Sequence, residues 1–308
     1  MRVTQQTKTN QLLLDLERRQ NEILRSQRVL TTGREVDKPS DDPSRARRAL
    51  MLSSSIKRRD QHIENINDAN AKLGYTEGEL QHTQDLLNEA RSLALQGSSG
   101  TLNDKDLEYL SYRVDEILHE LVAVANARHE GQYIFGGFNT QEPPYSLVTD
   151  ATTGETIMVQ DLASGMDGVI YRITADGERV PGNVPGTDVF QTGDPGDSGD
   201  MFQVMIDLRD ALQDGDRSTI QGALDRIDEA AERVRGTIAK VGGYMQRLQA
   251  TETRQEDMNV LETEHLSEAQ DADIAEWISR WQLQQVALET AMNVGARVIT
   301  TSLVNFIR

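Results

Sequence analysis

Between residues 52 and 94, Leu52, Ile56, Ile63, Ile66, Leu73, Leu80, Leu87 and Ala94 recur at helical steps of three, four and seven residues, with polar residues at some intervening positions. That period gathers them on one face of a helix. Continuous from Pro43 to about Gln96, such a helix extends roughly 80 Å at 1.5 Å per residue. A narrow apolar stripe of that length is stable only where a partner covers it. The chain therefore has to supply other long helices.

It supplies two. Ile220, Leu224, Ile227, Ala231, Val234, Ile238, Val241, Met245 and Leu248 keep strict 3-4 spacing from residue 218 onward. Gly242 and Gly243 weaken that run, by ~1 kcal/mol each relative to Ala. Earlier, "GSSGTLND" breaks the first long helix. Asn103 or Asp104 then caps a helix with the stripe Leu107, Leu110, Val114, Ile117, Leu121 and Val124, predicted to end near Gln132. The short break makes these two helices antiparallel neighbours.

Weaker helical segments occupy both ends. Residues 4–31 carry Leu13, Leu16, Ile23 and Leu30 on one stripe, with Gln20 and Gln27 diluting it. A seam of that kind buries too little alone and calls for a partner. The last segment, from "DADIAEW" onward, has the stripe Ile274, Ile278, Trp281, Leu288, Met292 and Ile299, continued by Leu303 and Phe306.

The joint after the first segment is specific. Gly33 suits a left-handed helix end, and Pro39 forbids continuation. Asp42 is a good N-cap with Pro43 at the first helical position. Asp41 and Asp42 also place negative charge at the positive end of the next helix dipole. Any capped loop between helices shares these local features.

Residues 138–200 differ in composition: five of seven prolines, nine of twenty-three glycines, and eleven acidic against two basic residues, half of the net charge of −18. Short alternating runs and the Asp176-Gly177 turn predict a small acidic β-rich insertion, joined to the helices only through its two ends. The expected class is mainly α: a long antiparallel helical bundle or rod built from both halves of the chain, with coiled-coil terminal helices and this insertion.

Chemistry is absent from the pattern. The chain has no cysteine, which excludes disulfides and thiolate catalysis. His62, His82, His119, His129 and His265 are scattered without an HExxH spacing and read as helix-face histidines. Asp194, Asp197 and Asp200 in "GDPGDSGD" lack the alternating ligands and final Glu of a calcium loop, so a polar turn is expected. Arg45, Arg47, Arg48, Lys57, Arg58 and Arg59 form a basic run without aromatics, a solvated or intersubunit face rather than a phosphate track. The acidic balance opposes nucleic acid and anionic lipid. No run approaches the ~20 apolar residues of a membrane span, and the N-terminus does not read as a secretory signal peptide. No enzyme activity, cofactor or metal is expected.

Five stretches in order resemble the flagellin superfamily, within it the branch that joins hook to filament. These are "MRVT", "TTGREVDKPSDDPSRA" at 31–46, "YIFGGFNTQEPPY" at 133–145, "VGGYMQRL" at 241–248, and "DADIAEW" with "SLVNFIR". Pro39 and Pro43 framing Asp41 and Asp42 favour the junction branch over flagellin, as does the ending Ser302, Leu303, Val304, Asn305, Phe306, with Val304 and Asn305 departing from that branch's usual Leu and Asp. The resemblance covers residues 1–145 and about 203–308 and leaves the insertion out.

Together with the change of composition over residues 138–200, the resemblance implies five segments. Residues 1–43 are the N-terminal helix and spoke loop of an inner coiled-coil domain, 44–137 and 201–271 are the two parts of the rod, 138–200 is the insertion domain, and 272–308 is the C-terminal inner helix. Leu13, Leu16, Ile23, Leu30, Ile278, Trp281, Leu288, Met292, Ile299, Leu303 and Phe306 are then assembly residues, with Gly33, Pro39, Asp41, Asp42 and Pro43 forming the spoke. The implied partners are further copies in a ring or short helical layer, a hook-associated protein on the hook side, flagellin on the filament side, and an export chaperone at the C-terminal helix. Export through the flagellar type III apparatus would place the chain outside the cell. A filament-forming flagellin, a cytoplasmic coiled-coil scaffold, and an enzyme or glycan-binding module within residues 138–200 are the competing readings.

Overall fold

The stripe read between residues 52 and 94 lies on α2 (Pro43–Ser98), and the one after residue 218 on α5 (Arg217–Gln270). The computed structural model describes residues 5–100, 102–150, 156–161, 165–191 and 199–306. Its other helices are α1 (Gln5–Thr32), α3 (Asp104–Ala125), α4 (Met201–Asp214) and α6 (Ile274–Phe306). The fold is mainly helical. The chain divides into two compact units, Met1–Arg58 with Met258–Arg308, and Arg59–Asp257. The joint at residues 33–43 thus lies inside the terminal unit.

In the central unit one heptad position is apolar without a gap from Ile66 to Ala94 and from Ile220 to Leu248. Ile66, Leu73, Leu80, Leu87 and Ala94 of α2 retain 0% exposure, as do Ile220, Ile227, Val234, Val241 and Leu248 of α5. Val114, Ile117 and Leu121 of α3 join the same core. Each large aliphatic group buried in this way stabilises the fold by about 1.5–3 kcal/mol. Two bidentate pairs, Arg113 with Glu89 and Arg91 with Asp228, lie along the helix surfaces at 2.7 and 2.6 Å.

Helix α3 is capped by Asn103, one of the two candidates, in a reciprocal capping box with Asp106, but ends at Ala125 rather than near Gln132. Asn126 stops it. Its side-chain amide donates to the Tyr145 carbonyl at 2.9 Å, and its side-chain oxygen accepts from the Tyr145 amide at 3.0 Å. Glu130 (φ 51°) and Gly131 (φ 79°) then reverse the chain between β1 (Arg128–His129) and β2 (Gln132–Tyr133). Helix α4, which precedes the period read from residue 218, is capped by the Asp200 carboxylate and closed by Gly215 at φ 68°. Its Arg209 is buried between Asp115 and Asp210, at 2.9 and 2.7 Å.

Residues 138–200 contain two antiparallel strand pairs: β3 (Tyr145–Thr149) with β4 (Thr156–Asp161), and β5 (Tyr171–Ala175) with β6 (Glu178–Pro181). The predicted Asp176-Gly177 turn joins β5 to β6, with Gly177 at φ 78°. The segment is attached by much more than its two ends. Phe190 meets Phe135 edge-on at 5.1 Å, stacks on Phe202 of α4 at 5.7 Å, and lies 6.0 Å from Tyr145. These rings belong to the helical core. Glu178 accepts from Arg247 and Arg254 of α5, and the Asn65 amide of α2 donates to the Ile173 carbonyl. Interlocking aromatics are individually the largest apolar groups available, and those placed before, within and after the segment tie it to the bundle. The two glycines of "YIFGGF" serve this closure, since a Cβ on Gly136 would strike the Asn139 carbonyl and one on Gly137 that of Gly165.

Candidate assembly surface

The spoke residues build a clamp. Gly33, at φ 71°, donates its N–H to the Val29 carbonyl at 2.8 Å and closes α1. The Asp41 carboxylate accepts from the Lys38 and Asp37 amides at 3.0 and 3.3 Å. Chiefly through the Lys38 hydrogen bond, this holds its carboxyl below the ordinary 3.8. Asp42 caps α2 by accepting from the Ser44 and Arg45 amides at 2.9 and 3.0 Å. Pro39 and Pro43 sit exposed at the loop and at the first turn of α2.

This joint is fastened to a second one. The Glu35 amide donates to the Gln270 carbonyl at 2.8 Å, and the Ala272 amide to the Gly33 carbonyl at 3.0 Å. Arg45 bridges both, donating to the Ala269 carbonyl and to Glu35. Asp273 then caps α6 through the Ala275 and Glu276 amides. "SDDPSRA" and "DADIAEW", more than two hundred residues apart, are thus neighbours. Two carboxylate caps at one level set both helix starts.

From the clamp, α1 and α6 run antiparallel along each other. Their seam is Leu12, Leu16, Ile23, Ser26 and Leu30 against Trp277, Trp281, Gln284, Leu288, Ala291 and Gly295, all buried or half-buried. Ser26 donates to the Gln284 side chain at 2.7 Å. A Cβ on Gly295 would come within 2.8 Å of Leu12. Trp277, at 5% exposure, anchors the clamp end with the Arg280 guanidinium 4.6 Å above its ring.

Of the residues singled out in the sequence, Ile23 is buried, and Leu16, Leu30, Trp281 and Leu288 are half-buried in this seam. Leu13, Ile278 and Met292 face solvent, at 54, 41 and 52% exposure. Ile299, Leu303 and Phe306 fall on the backbone of α6, with their side chains outside the described residues. Gln20 and Gln27 are exposed and do not dilute the seam; Ser26 and Gln284 do. Leu12, Trp277 and Gly295 were missed. Outside the seam Leu13, Leu14, Leu24, Leu283, Val286, Met292 and Val294 leave large apolar groups exposed on the same two helices.

Nothing in the remaining candidates converges on a reaction. His62, His119 and His265 lie near Asp176, Asp115 and Glu268, and His129 against Tyr75. Asp200 is the α4 cap, while Asp194 and Asp197 lie outside the described residues. No group of three metal-ligating side chains occurs among the described residues, and none of their helices is long and apolar enough to cross a membrane.

Residues 3–140 match the bacterial flagellin N-terminal helical region. Over 94% of this chain and 95% of the relative, the sequence is 22% identical to flagellar hook-associated protein 3 of Escherichia coli. A phase 1 flagellin of Salmonella naestved is 28% identical, but over 60% of this chain and 39% of its own. The flagellar junction protein of Legionella pneumophila shares the fold, with a TM-score of 0.57 at 14% identity, over 72% of this chain and 99% of that one.

Proposed function

We propose, for a chain that is a member of the flagellin superfamily, that it is a structural component of the bacterial flagellum working at the junction of hook and filament. The observation that carries this is the reach of the similarity: it runs the length of both chains for hook-associated protein 3 and is partial for flagellin. The physical reading agrees. Helices α1 and α6 cover only part of each other's apolar surface and present the rest, Leu13, Leu24, Ile278, Leu283, Val286 and Met292 among it, as unpaired area. Burial of that area between copies in a ring or short helical layer would complete the coiled coil.

In this reading the chain seats on a hook-associated protein, offers a flagellin-like face to the filament, and leaves the cell through the flagellar type III apparatus. A chaperone groove that accepts an amphipathic helix would shield residues 272–308 beforehand. Deletion of the gene is the test. Cells with hooks, no filaments and flagellin shed to the medium are the expected outcome. Filaments of normal length would exclude the junction role, and filaments formed by the purified chain alone would make it a flagellin.

A further inference from the structure

Residues 44–58, at the start of α2, hold five basic and no acidic residues, while residues 258–270, at the end of α5, hold three acidic residues and no Lys or Arg. Both stretches belong to the terminal unit. They lie side by side there: the Arg45 guanidinium donates to the Ala269 carbonyl at 3.0 Å, with Ala46 and Ala49 buried on that side of α2 and Ala269 on that side of α5. Each helix therefore turns its opposite face outward.

On α2 the outward stripe is Arg47, Leu50, Met51, Ser54, Lys57 and Arg58, which recur at helical steps of three and four and are all exposed. Leu50 and Met51 stand at its centre at 64 and 66% exposure. On α5 the outward stripe is Val260, Leu261, Glu264, Ser267 and Glu268, again all exposed, with Val260 and Leu261 at 70 and 46%. The charges on both stripes are largely uncommitted. Arg45, outside the basic stripe, pairs with Glu35, whereas Arg47, Lys57, Arg58 and Glu264 enter no ion pair among the described residues, and Glu268 meets His265 at 3.4 Å. The third acid, Glu262, is half-buried and lies about 200° round the helix from Glu264.

We propose that these faces are the two halves of one heterologous contact, in which the basic stripe of α2 in one copy packs on the acidic stripe of α5 in the next. The occupant of each face is a second copy of this chain, and the inference rests on the reading that copies assemble in a ring or short helical layer. Charge selects this pairing. A two-fold dimer through either face would set basic against basic or acidic against acidic, whereas the mixed pairing brings opposite charges together around two apolar centres, Leu50 with Met51 and Val260 with Leu261. The apolar centres supply area removed from water, and the charged flanks fix which face meets which. A contact between unlike faces leaves one free face of each kind on every open oligomer, so copies add in one direction and give a closed ring or an open helical layer.

Charge reversal tests this, because the substituted side chains are exposed and thermal melting of the variants should be unchanged. Sedimentation of the full chain at rising concentration in low salt should show self-association, weakened at least about tenfold by Arg47→Glu with Arg58→Glu, and likewise by Glu264→Arg with Glu268→Arg. Mixing the two reversed proteins should restore it, as should the fourfold variant, since unlike faces then meet again. Added salt should weaken the native pairing. A chain that stays monomeric throughout, reversed proteins that associate as the native chain does, or a mixture no better than its components would overturn the proposal. Unchanged self-association with lost binding to flagellin would overturn it too, by giving the faces to another protein. Because these measurements are made in solution, their failure leaves the junction reading to be judged by the gene deletion alone.

Discussion

The terminal and central units are built on the same helical period, and they differ in what fills it. Along α2 from Ile66 to Ala94 and along α5 from Ile220 to Leu248 every seventh position is Ile, Leu, Val or Ala without exposed surface, with Thr76 and Thr83 buried beside them. Along α1 and α6 the corresponding positions include Ser26, Gln284, Ala291 and Gly295, and most are only half-buried. A heptad places two helices side by side in either case. The size and apolarity of the groups on it decide whether the pair needs a third partner. The central unit closes its own core, and the terminal unit keeps large apolar groups exposed.

The strongest attack on this contrast is truncation at matched sites. Leu80→Ala, at a position with no exposure, should cost about 2–5 kcal/mol. Leu16→Ala, in the half-buried α1 seam, should cost no more than about 1 kcal/mol in the isolated chain. Urea denaturation of the full chain measures both. Equal losses would erase the distinction between the units.

Glycines at positive φ give the next largest difference. Gly137, at φ 60°, faces the Gly165 carbonyl, whereas Gly33, at φ 71°, has nothing within 4 Å. Gly137→Ala should lose about 1–3 kcal/mol from backbone strain alone, and more from the collision. Near-UV circular dichroism should report loosening of the Phe135, Phe190 and Phe202 cluster. Gly33→Ala should lose about 1 kcal/mol, confined to the clamp. If the aromatic signal survives Gly137→Ala intact, the turn does not support the cluster.

The clamp itself sharpens the comparison at smaller scale. Asp42→Ala or Asp273→Ala should each remove a cap worth ~1 kcal/mol. Hydrogen exchange should then rise at the first turn of α2 or α6 and stay unchanged in α3. Exchange rising equally in α3 would mean that the two units unfold together.

The smallest expected effect is acid sensitivity. The folded-state pKa of Asp41 is depressed by its backbone hydrogen bonds, so its contribution is present above the ordinary 3.8 and is lost as pH falls through the lower folded value. Protection of the Lys38 amide, followed by exchange-sensitive NMR, should decline in that acid range. Asp41→Asn should remove this dependence, and a decline that persists in the variant would assign it to another carboxylate.

How far the sequence reached is clearest at particular residues. The stripe positions of α2, α3 and α5, the Asn103 and Asp42 caps, the Gly33 end and the Asp176-Gly177 turn were legible because each depends on a few adjacent residues. The phase of the α1 seam was not. Leu12, Leu13 and Leu14 are consecutive and cover most of the helix circumference, so periodicity cannot choose among them. The structure turns Leu12 toward Gly295 and leaves Leu13 outside.

The sequence alone determined the helical class, the length of α2, where the long helices begin, and the resemblance to the flagellin superfamily, since period, capping and motif order are local properties of the chain. Tertiary structure alone decided that Asn126 ends α3 on the backbone of Tyr145, that four separated aromatic rings pull the acidic segment into the helical core, and that the two joints fasten to each other. Each of these joins groups far apart along the chain. Such contacts exist because the fold brings complementary surfaces together, and neither partner carries a mark of the other in its own neighbourhood.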